Sequence, residues 1–196
     1  MKIEELKREV ADLQSRGEIN QAVQLMYTTW KLNKCDFSIA TLFIAECYWL
    51  LQERDYFKDN PQGKRNGYDE IDWGFESYMQ EVLLYGLSYY ENVSEFLWKI
   101  GRLFCVDFMP FLFLYSHGIE VSEYGKKMLE QAEMISPDNI LIQLMNDDKR
   151  NWDDDMIIRA RSEISSIIYE TYSDQELRFI LSKMLEARIY ESSCTT

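Results

Sequence analysis

The recurrence of apolar residues at helical spacing constrains the fold of this chain most strongly. Apolar residues recur three or four positions apart from Ile3 to Leu13, from Ile19 to Trp30 and from Val121 to Ile135. This spacing places them on one face of an α-helix. The 196 residues include only three prolines and eight glycines, which is few for a fold built from many strands and tight turns. The sequence therefore predicts an all-α protein.

Turn and capping residues divide the chain into about nine or ten antiparallel helices within a single domain, residues 1–196. The second helix is predicted from Ile19 to about Leu32, the third and most apolar from Asp36 to about Tyr56, and a later one from Tyr68 to Tyr90. The one clear loop is residues 57–67. The predicted boundary signals are Gly17, a capping box of Asn92 with Glu95, a break at Pro110, an N-cap at Ser136 before Pro137, a start at Asn151, and a cap of Ser173 with Glu176.

The charge balance indicates the kind of partner. The chain has 34 acidic and 21 basic residues, for a net charge of −13, so it repels nucleic acid and attracts a basic protein. The cysteines lack paired spacing, the N-terminus lacks the apolar segment of a signal peptide, and no apolar run is long enough to span a membrane. We therefore expect a cytoplasmic protein that contacts neither a membrane nor nucleic acid directly.

No pattern in the sequence indicates catalysis, a metal or a cofactor. The single histidine, His117, has no histidine or cysteine partner at helical spacing. The acidic stretch NDDKRNWDDDM does not fit a calcium loop, because Met156 stands where the loop needs glycine and Ser162 where it needs glutamate. We predict no catalytic, cofactor-binding or metal-binding residues, and a binding protein rather than an enzyme.

Two segments are candidates for binding a basic partner. From Asn66 to Trp98 the chain contains no lysine or arginine but many acids and aromatic residues, a combination that suits an interface. The alternative is that half of these aromatics belong to the core and the acids form a solvated helix face. The stretch NDDKRNWDDDM is the second choice, its alternative being the end of one helix and the start of the next. The predicted partner-binding residues are Asp69, Glu70, Asp72, Trp73, Glu76 and Tyr78 in the first segment, and Asp147, Asp148, Trp152 and Asp155 in the second.

Two stretches resemble known families. GKKMLEQAEMISP, with Gly125, Leu129, Ala132 and Pro137, resembles the second half of a tetratricopeptide repeat, and GEINQAVQLMYTT is a weaker copy. The resemblance implies divergent tetratricopeptide-like helical hairpins.

The wider segment FLWKIGRLFCVDFMPFLFLYSHG, followed by GKKMLEQAEMISPDN, resembles small helical immunity proteins of bacterial contact-dependent and other polymorphic toxin systems. This implies a bacterial cytoplasmic protein that binds a cognate, basic, nuclease-type toxin domain and occludes its active site. The alternatives are a tetratricopeptide-like adaptor for a peptide or protein, an acidic enzyme, and a mimic of DNA shape.

Overall fold

The computed structural model describes residues 1–52, 71–72, 74–139 and 142–143, and this part of the chain contains helices and no strand. Its elements are α1 (Ile3–Ser15), α2 (Ile19–Leu32), α3 (Phe37–Gln52), α4 (Phe75–Tyr89), α5 (Ser94–Val106), a 3₁₀ helix (Met109–His117) and α6 (Val121–Ile135). The all-α prediction is therefore confirmed over the described ranges. The predicted loop at 57–67 and the helices predicted after Asn151 lie outside them.

Several helix boundaries fall where the sequence places them. Both α2 and α6 have the predicted limits. Gly17 has a φ of 75°, and the N–H groups of Gly17 and Glu18 donate to the carbonyls of Gln14 and Leu13 at 3.0 and 2.9 Å. This pair of hydrogen bonds closes the end of α1 in a Schellman motif, for which glycine is favoured because its φ is positive.

The capping box predicted at Asn92 is wrong. Asn92 lies in a turn closed by the Val93 N–H, which donates to the Tyr90 carbonyl at 2.9 Å. Helix α5 begins after Val93, whose carbonyl accepts from the Leu97 N–H at 3.0 Å and whose side chain makes no capping hydrogen bond. The turn therefore moves the start of the helix one residue beyond the position that a capping box would give.

The N-cap predicted at Ser136 is also wrong. Ser136 is the C-cap of α6, and its hydroxyl lies 2.8 Å from the hydroxyl of Ser94 on α5. The capping contacts come instead from Asn139, whose side-chain oxygen accepts from the Ile142 N–H at 3.4 Å. The Asn139 carbonyl accepts from the Gln143 N–H at 3.0 Å. A turn at residues 137–138 separates Ser136, which ends α6, from Asn139, which caps the residues that follow.

The helix predicted from Tyr68 to Tyr90 is not continuous, because Ile71 and Asp72 are not helical and the described helix begins at Phe75. Asp72 makes two hydrogen bonds just before this helix: its side-chain oxygen accepts from the Gly74 N–H at 2.9 Å, and its own N–H donates to the Asn20 side chain at 2.8 Å. An aspartate that bonds the N–H two residues on forms a local turn that competes with helix. The break predicted at Pro110 is present as a change of helix type. Helix α5 ends at Val106, and the 3₁₀ helix starts at Met109 with Pro110 in its first turn.

Helix α3 lies at the centre of the described part. It packs against α2, α4, α5 and the 3₁₀ helix, and most of its side chains are buried, which agrees with the prediction of a central, apolar third helix. The largest buried side chains include Phe43 of α3 together with Trp30, Trp98 and Phe111 of other elements. Burying aromatic residues of this size supplies much of the driving force for folding.

Helices α5 and α6 pack closely against each other. They are antiparallel, since Ser94 meets Ser136 near one end while Gly101 meets Gly125 further along. A β-carbon on Gly125 would lie 2.8 Å from the Gly101 carbonyl oxygen, and one on Gly101 would lie 2.9 Å from the Gly125 carbonyl oxygen. The small residue of GKKMLEQAEMISP therefore allows the close approach expected of it. The tetratricopeptide-like arrangement itself stays a prediction.

A second glycine with positive φ ends the 3₁₀ helix. Gly118 has a φ of 74°, and the N–H groups of Gly118 and Ile119 donate to the carbonyls of Tyr115 and Leu114 at 3.0 and 3.1 Å. Apart from Gly118 itself and its two chain neighbours, no described residue has a heavy atom within 4 Å of where its β-carbon would stand. The backbone conformation alone accounts for glycine at this position.

Candidate protein-binding groove

A groove of about 650 Å³ opens where α1, α2 and the segment leading into α4 meet. Residues one turn apart bring the same face of each helix to it, as Glu9 and Leu13 do on α1. The groove is lined by Glu9, Leu13, Asn20, Gln21, Val23, Gln24, Leu25, Thr28, Asp72, Phe75 and Tyr78. We call this set the acidic groove, because the only charged residues in it are the carboxylates Glu9 and Asp72.

Neither carboxylate of the acidic groove is neutralised within the described ranges. No lysine or arginine there pairs with Glu9 or Asp72. Asp72 is nevertheless held in place, because Gly74 donates a hydrogen bond to its side chain and Asn20 accepts one from its backbone. A negative charge that is fixed in position and lacks a cation suits a positively charged ligand.

The aromatic wall of the acidic groove is held by a network behind it. The ring of Tyr78 stacks on the ring of Tyr27, with centroids 4.2 Å apart and planes 10° apart. The Tyr27 hydroxyl donates to one oxygen of Glu81 at 2.5 Å, and Lys31 Nζ donates to the other oxygen at 2.5 Å. The hydrogen bond from Lys31, followed by that from Tyr27, lowers the pKa of Glu81. Tyr78 is thus held against a side chain that is itself anchored.

The segment from Asn66 to Trp98, which contains no lysine or arginine, is less acidic in the folded chain than its sequence predicts. Two bases from outside the segment neutralise Glu81, since Lys31 of α2 and Lys34 in the turn that follows it lie 2.5 and 3.8 Å from its carboxylate. Glu95 pairs with Lys99, just beyond Trp98, at 2.8 Å. The lack of bases within this segment therefore does not leave all of its carboxylates unpaired in the folded chain. Fewer unpaired carboxylates remain there than the sequence predicts.

The aromatics of the same segment divide between core and surface. Phe75, Tyr90, Phe96 and Trp98 are buried. Tyr78 and Tyr85 are half-buried, and Tyr89 has 69% of its surface exposed while its ring stacks on that of Tyr85 at 4.1 Å. The alternative in which about half of these residues belong to the core thus holds for those described. Among the described aromatics of this segment, Phe75 and Tyr78 line the acidic groove.

The structure brings two of the predicted partner-binding residues together and separates a third. Asp72 and Tyr78 both line the acidic groove, whereas Glu76 lines a second hollow of about 360 Å³ with Asp107. The remaining candidates, Asp69, Glu70, Trp73, Asp147, Asp148, Trp152 and Asp155, lie outside the described residues.

The contributions of Glu9 and of the α2 residues were missed by sequence reasoning. The local signal was the polar faces of α1 and α2, which resemble ordinary solvated faces in the sequence. Glu9 and Gln24 line the same groove only because these two helices pack beside Asp72.

Within residues 1–52, 71–72, 74–139 and 142–143, no three histidine, cysteine, aspartate or glutamate side chains form a group that could hold a metal ion. None of the helices described there has the length and apolar character needed to cross a bilayer. Burial raises the pKa of the Cys47 thiol well above its ordinary value. A thiol of this kind packs as a small apolar side chain.

Comparison of the chain with protein-family models, with curated proteins and with solved structures gives no match. The resemblance to tetratricopeptide repeats and to immunity proteins therefore stays an expectation from the sequence.

Proposed function

We propose that this chain binds a basic protein through the acidic groove, and that it acts as an immunity protein for a cognate bacterial toxin domain. The observation that carries the proposal is the charge of the groove: among its described lining residues the only charged ones, Glu9 and Asp72, are acidic, and neither pairs with a base of the described chain. A lysine or arginine side chain of the partner supplies the missing charge.

The arrangement of the groove favours binding because little has to be reorganised. Asp72 is held by Asn20 and Gly74, and Tyr78 is held by Tyr27. Groups that are already in position lose little conformational freedom on binding. Leu13 and Phe75 add apolar residues to the lining, so the groove accepts a cationic side chain together with its aliphatic stem.

The proposed mechanism of inhibition is substitution for the substrate. A toxin domain that cleaves nucleic acid binds phosphates with basic side chains. Glu9 and Asp72 pair with such bases and exclude the phosphates. The net charge of −13 accelerates the encounter with a basic partner.

The experiment is co-purification of this chain with the protein encoded immediately upstream of its gene. We expect a complex on gel filtration, and we expect Glu9→Gln with Asp72→Asn to weaken it by about tenfold or more. Glu130→Gln with Asp138→Asn changes the net charge equally at two exposed positions away from the groove and serves as the control. A neighbour that is no toxin, or that does not bind, removes the immunity function. Equal effects of the two double variants remove the acidic groove from the interface.

The exposed amides of α2 favour a second candidate, an adaptor that holds an extended basic peptide. Gln21 and Gln24 line the acidic groove one turn apart, and amide side chains both donate to and accept from a peptide backbone. Isolated peptides from the partner distinguish the two functions. An adaptor retains most of its affinity for the right peptide, whereas an inhibitor of a folded domain loses most of it.

A further inference from the structure

We propose that the 3₁₀ helix Met109–His117 is a second docking surface, which takes an amphipathic α-helix of a basic protein partner. The proposal rests on the geometry and charge of this helix and does not depend on the acidic groove.

The 3₁₀ helix has two apolar faces, of which only one is covered. A 3₁₀ helix has about three residues per turn, so residues three apart form a straight row. Phe111 and Leu114 form the buried row. Met109, Leu112 and Tyr115 form another row, with 58%, 42% and 46% of their surfaces exposed. We call this row the apolar ridge. Exposed apolar surface concentrated in this way is typical of interaction sites.

The ends of the apolar ridge are acidic and its length is uncharged. No aspartate, glutamate, lysine or arginine occurs between Asp107 and Glu120. Each of these carboxylates is held by neutral donors. Asp107 accepts hydrogen bonds from the Gln52 side chain and from the Met109 N–H, and Glu120 accepts from the Glu123 N–H and the Tyr115 hydroxyl.

These hydrogen bonds fix the two carboxylates without neutralising them. No base of the described chain pairs with Asp107 or Glu120. The surface therefore presents an apolar centre between two carboxylates that form no ion pair with a base of the described chain, and its complement has an apolar centre between two positive charges.

The spacing of the apolar ridge matches an α-helix. A rise of about 2.0 Å per residue puts the members of the ridge about 6 Å apart. Residues four apart in an α-helix are also about 6 Å apart along its axis. A partner helix with apolar residues at i, i+4 and i+8 thus matches Met109, Leu112 and Tyr115 one for one.

A hollow at one end of the ridge offers a place for a base of the partner. It holds about 360 Å³ and is lined by Leu51, Gln52, Glu76, Asp107, Met109 and Pro110. Among its described lining residues, Asp107 carries a negative charge that forms no ion pair with a base of the described chain. Its apolar lining residues can cover the aliphatic stem of a lysine or arginine.

A second copy of this chain fits the ridge less well. Pairing two identical ridges brings Asp107 and Glu120 of both copies to the same interface, between two chains that each carry a net charge of −13. Like charges that face each other across an interface disfavour association. The charge therefore selects a basic partner.

The test uses the full chain and a labelled synthetic peptide that forms a helix, with leucines at i, i+4 and i+8 and lysines at both ends of that face. Fluorescence anisotropy measures its binding beside that of a scrambled peptide of the same composition. We expect saturable binding that is weakened at least about tenfold by scrambling or by Met109→Gln with Leu112→Gln. Met134→Gln with Ile135→Gln, at two exposed apolar residues of α6, is the matched control.

The acidic ends are tested with Asp107→Asn and Glu120→Gln, which remove the charge and keep one of the two oxygen acceptors of each side chain. We expect this pair to weaken binding and to reduce its salt dependence, while Glu130→Gln with Asp138→Asn changes neither. Circular dichroism verifies that each variant is folded. Absence of saturable binding, equal binding of the scrambled peptide, or insensitivity to the ridge variant overturns the proposal. So does sedimentation that shows a dimer which the ridge variant abolishes.

Discussion

Gly101 and Gly125 touch backbone to backbone across the α5–α6 pair: each stands where a β-carbon would lie within 3 Å of the other's carbonyl oxygen. Two neighbouring helices therefore pack more closely than side chains would permit. The contact depends on both glycines, because a methyl group on either one meets main-chain atoms that cannot rotate away.

The first prediction concerns Gly125→Ala. Alanine favours an α-helix over glycine by about 1 kcal/mol, but its methyl group would lie 2.8 Å from both the Gly101 oxygen and the Phe104 Cβ. Overpacking of this kind costs about 1–3 kcal/mol or more, so we expect a net loss in the free energy of unfolding measured with urea. Glu130→Ala, at an exposed position of the same helix, should change stability by less than about 0.5 kcal/mol. A stabilised Gly125→Ala variant would contradict the close packing.

The second prediction concerns the acid stability that Glu81 provides. Hydrogen bonds from Lys31 and Tyr27 lower its pKa below the ordinary value of 4.5. A carboxyl group whose pKa is lowered by folding adds stability above its unfolded pKa and loses it as the pH falls through the folded value. The difference in unfolding free energy between the wild type and Glu81→Gln should therefore shrink below pH 4.5.

Tyr27→Phe tests the same network at neutral pH. A cycle of Tyr27→Phe, Glu81→Gln and the double variant should give a coupling energy, because the two side chains share a hydrogen bond of 2.5 Å. Additive effects, or a difference between wild type and Glu81→Gln that stays constant down to the lowest pH, would show that the network adds nothing in solution.

The third prediction concerns alkaline pH. Burial, and to a smaller extent the charge of Asp107, raises the pKa of Tyr48 from 10.0 to about 12. Its ring lies parallel to that of Phe111 at 5.8 Å. A group whose pKa is raised by folding adds stability below its unfolded pKa and loses it as the pH rises through the folded value. The unfolding free energy should thus fall between about pH 10 and 12, and Tyr48→Phe should remove part of this fall. Tyrosinate absorbance of the two proteins identifies the late-titrating phenol, and identical titrations would contradict its assignment to Tyr48.

The fourth prediction concerns association with a basic partner. Charges at an interface act mainly on the association rate and on its salt dependence. Glu9→Gln with Asp72→Asn should slow association in stopped-flow mixing and flatten the salt slope, and neutralising Asp69, Glu70 and Asp72 together should do the same. Glu130→Gln with Asp138→Asn provides the comparison at equal net charge. Equal slopes for this control and the groove variant would show that only the overall charge matters.

The sequence predicts the helices of this chain well where local signals determine them. The limits of α2 and α6 follow from apolar periodicity, and the end of α1 follows from Gly17. Prediction was wrong where two local signals competed. Asn92 resembles a cap, yet it lies in a turn. Ser136 ends one helix, while Asn139 makes the capping contacts of the next residues.

The candidate site depends on contacts between residues that are far apart in the sequence, and the sequence alone does not reveal such contacts. Asp72 and Tyr78 were predicted from their own segment, but Glu9 joins them only because α1 packs beside α2. For the same reason Glu81 appeared unneutralised until Lys31, fifty positions away in the sequence, was placed against it. The 3₁₀ form of residues 109–117 also had no local signal beyond Pro110, because both of its faces are apolar.

Gly118 carries a consequence about handedness. Its φ of 74° is unfavourable for an L-residue, while open space surrounds the place of its β-carbon. Position 118 thus restricts the chirality of the residue that it accepts and not the size of its side chain. A D-alanine introduced there by chemical ligation has the mirror-image preference for φ and also restricts the unfolded chain. In a protein made otherwise of L-residues, this turn therefore accepts D-alanine better than L-alanine.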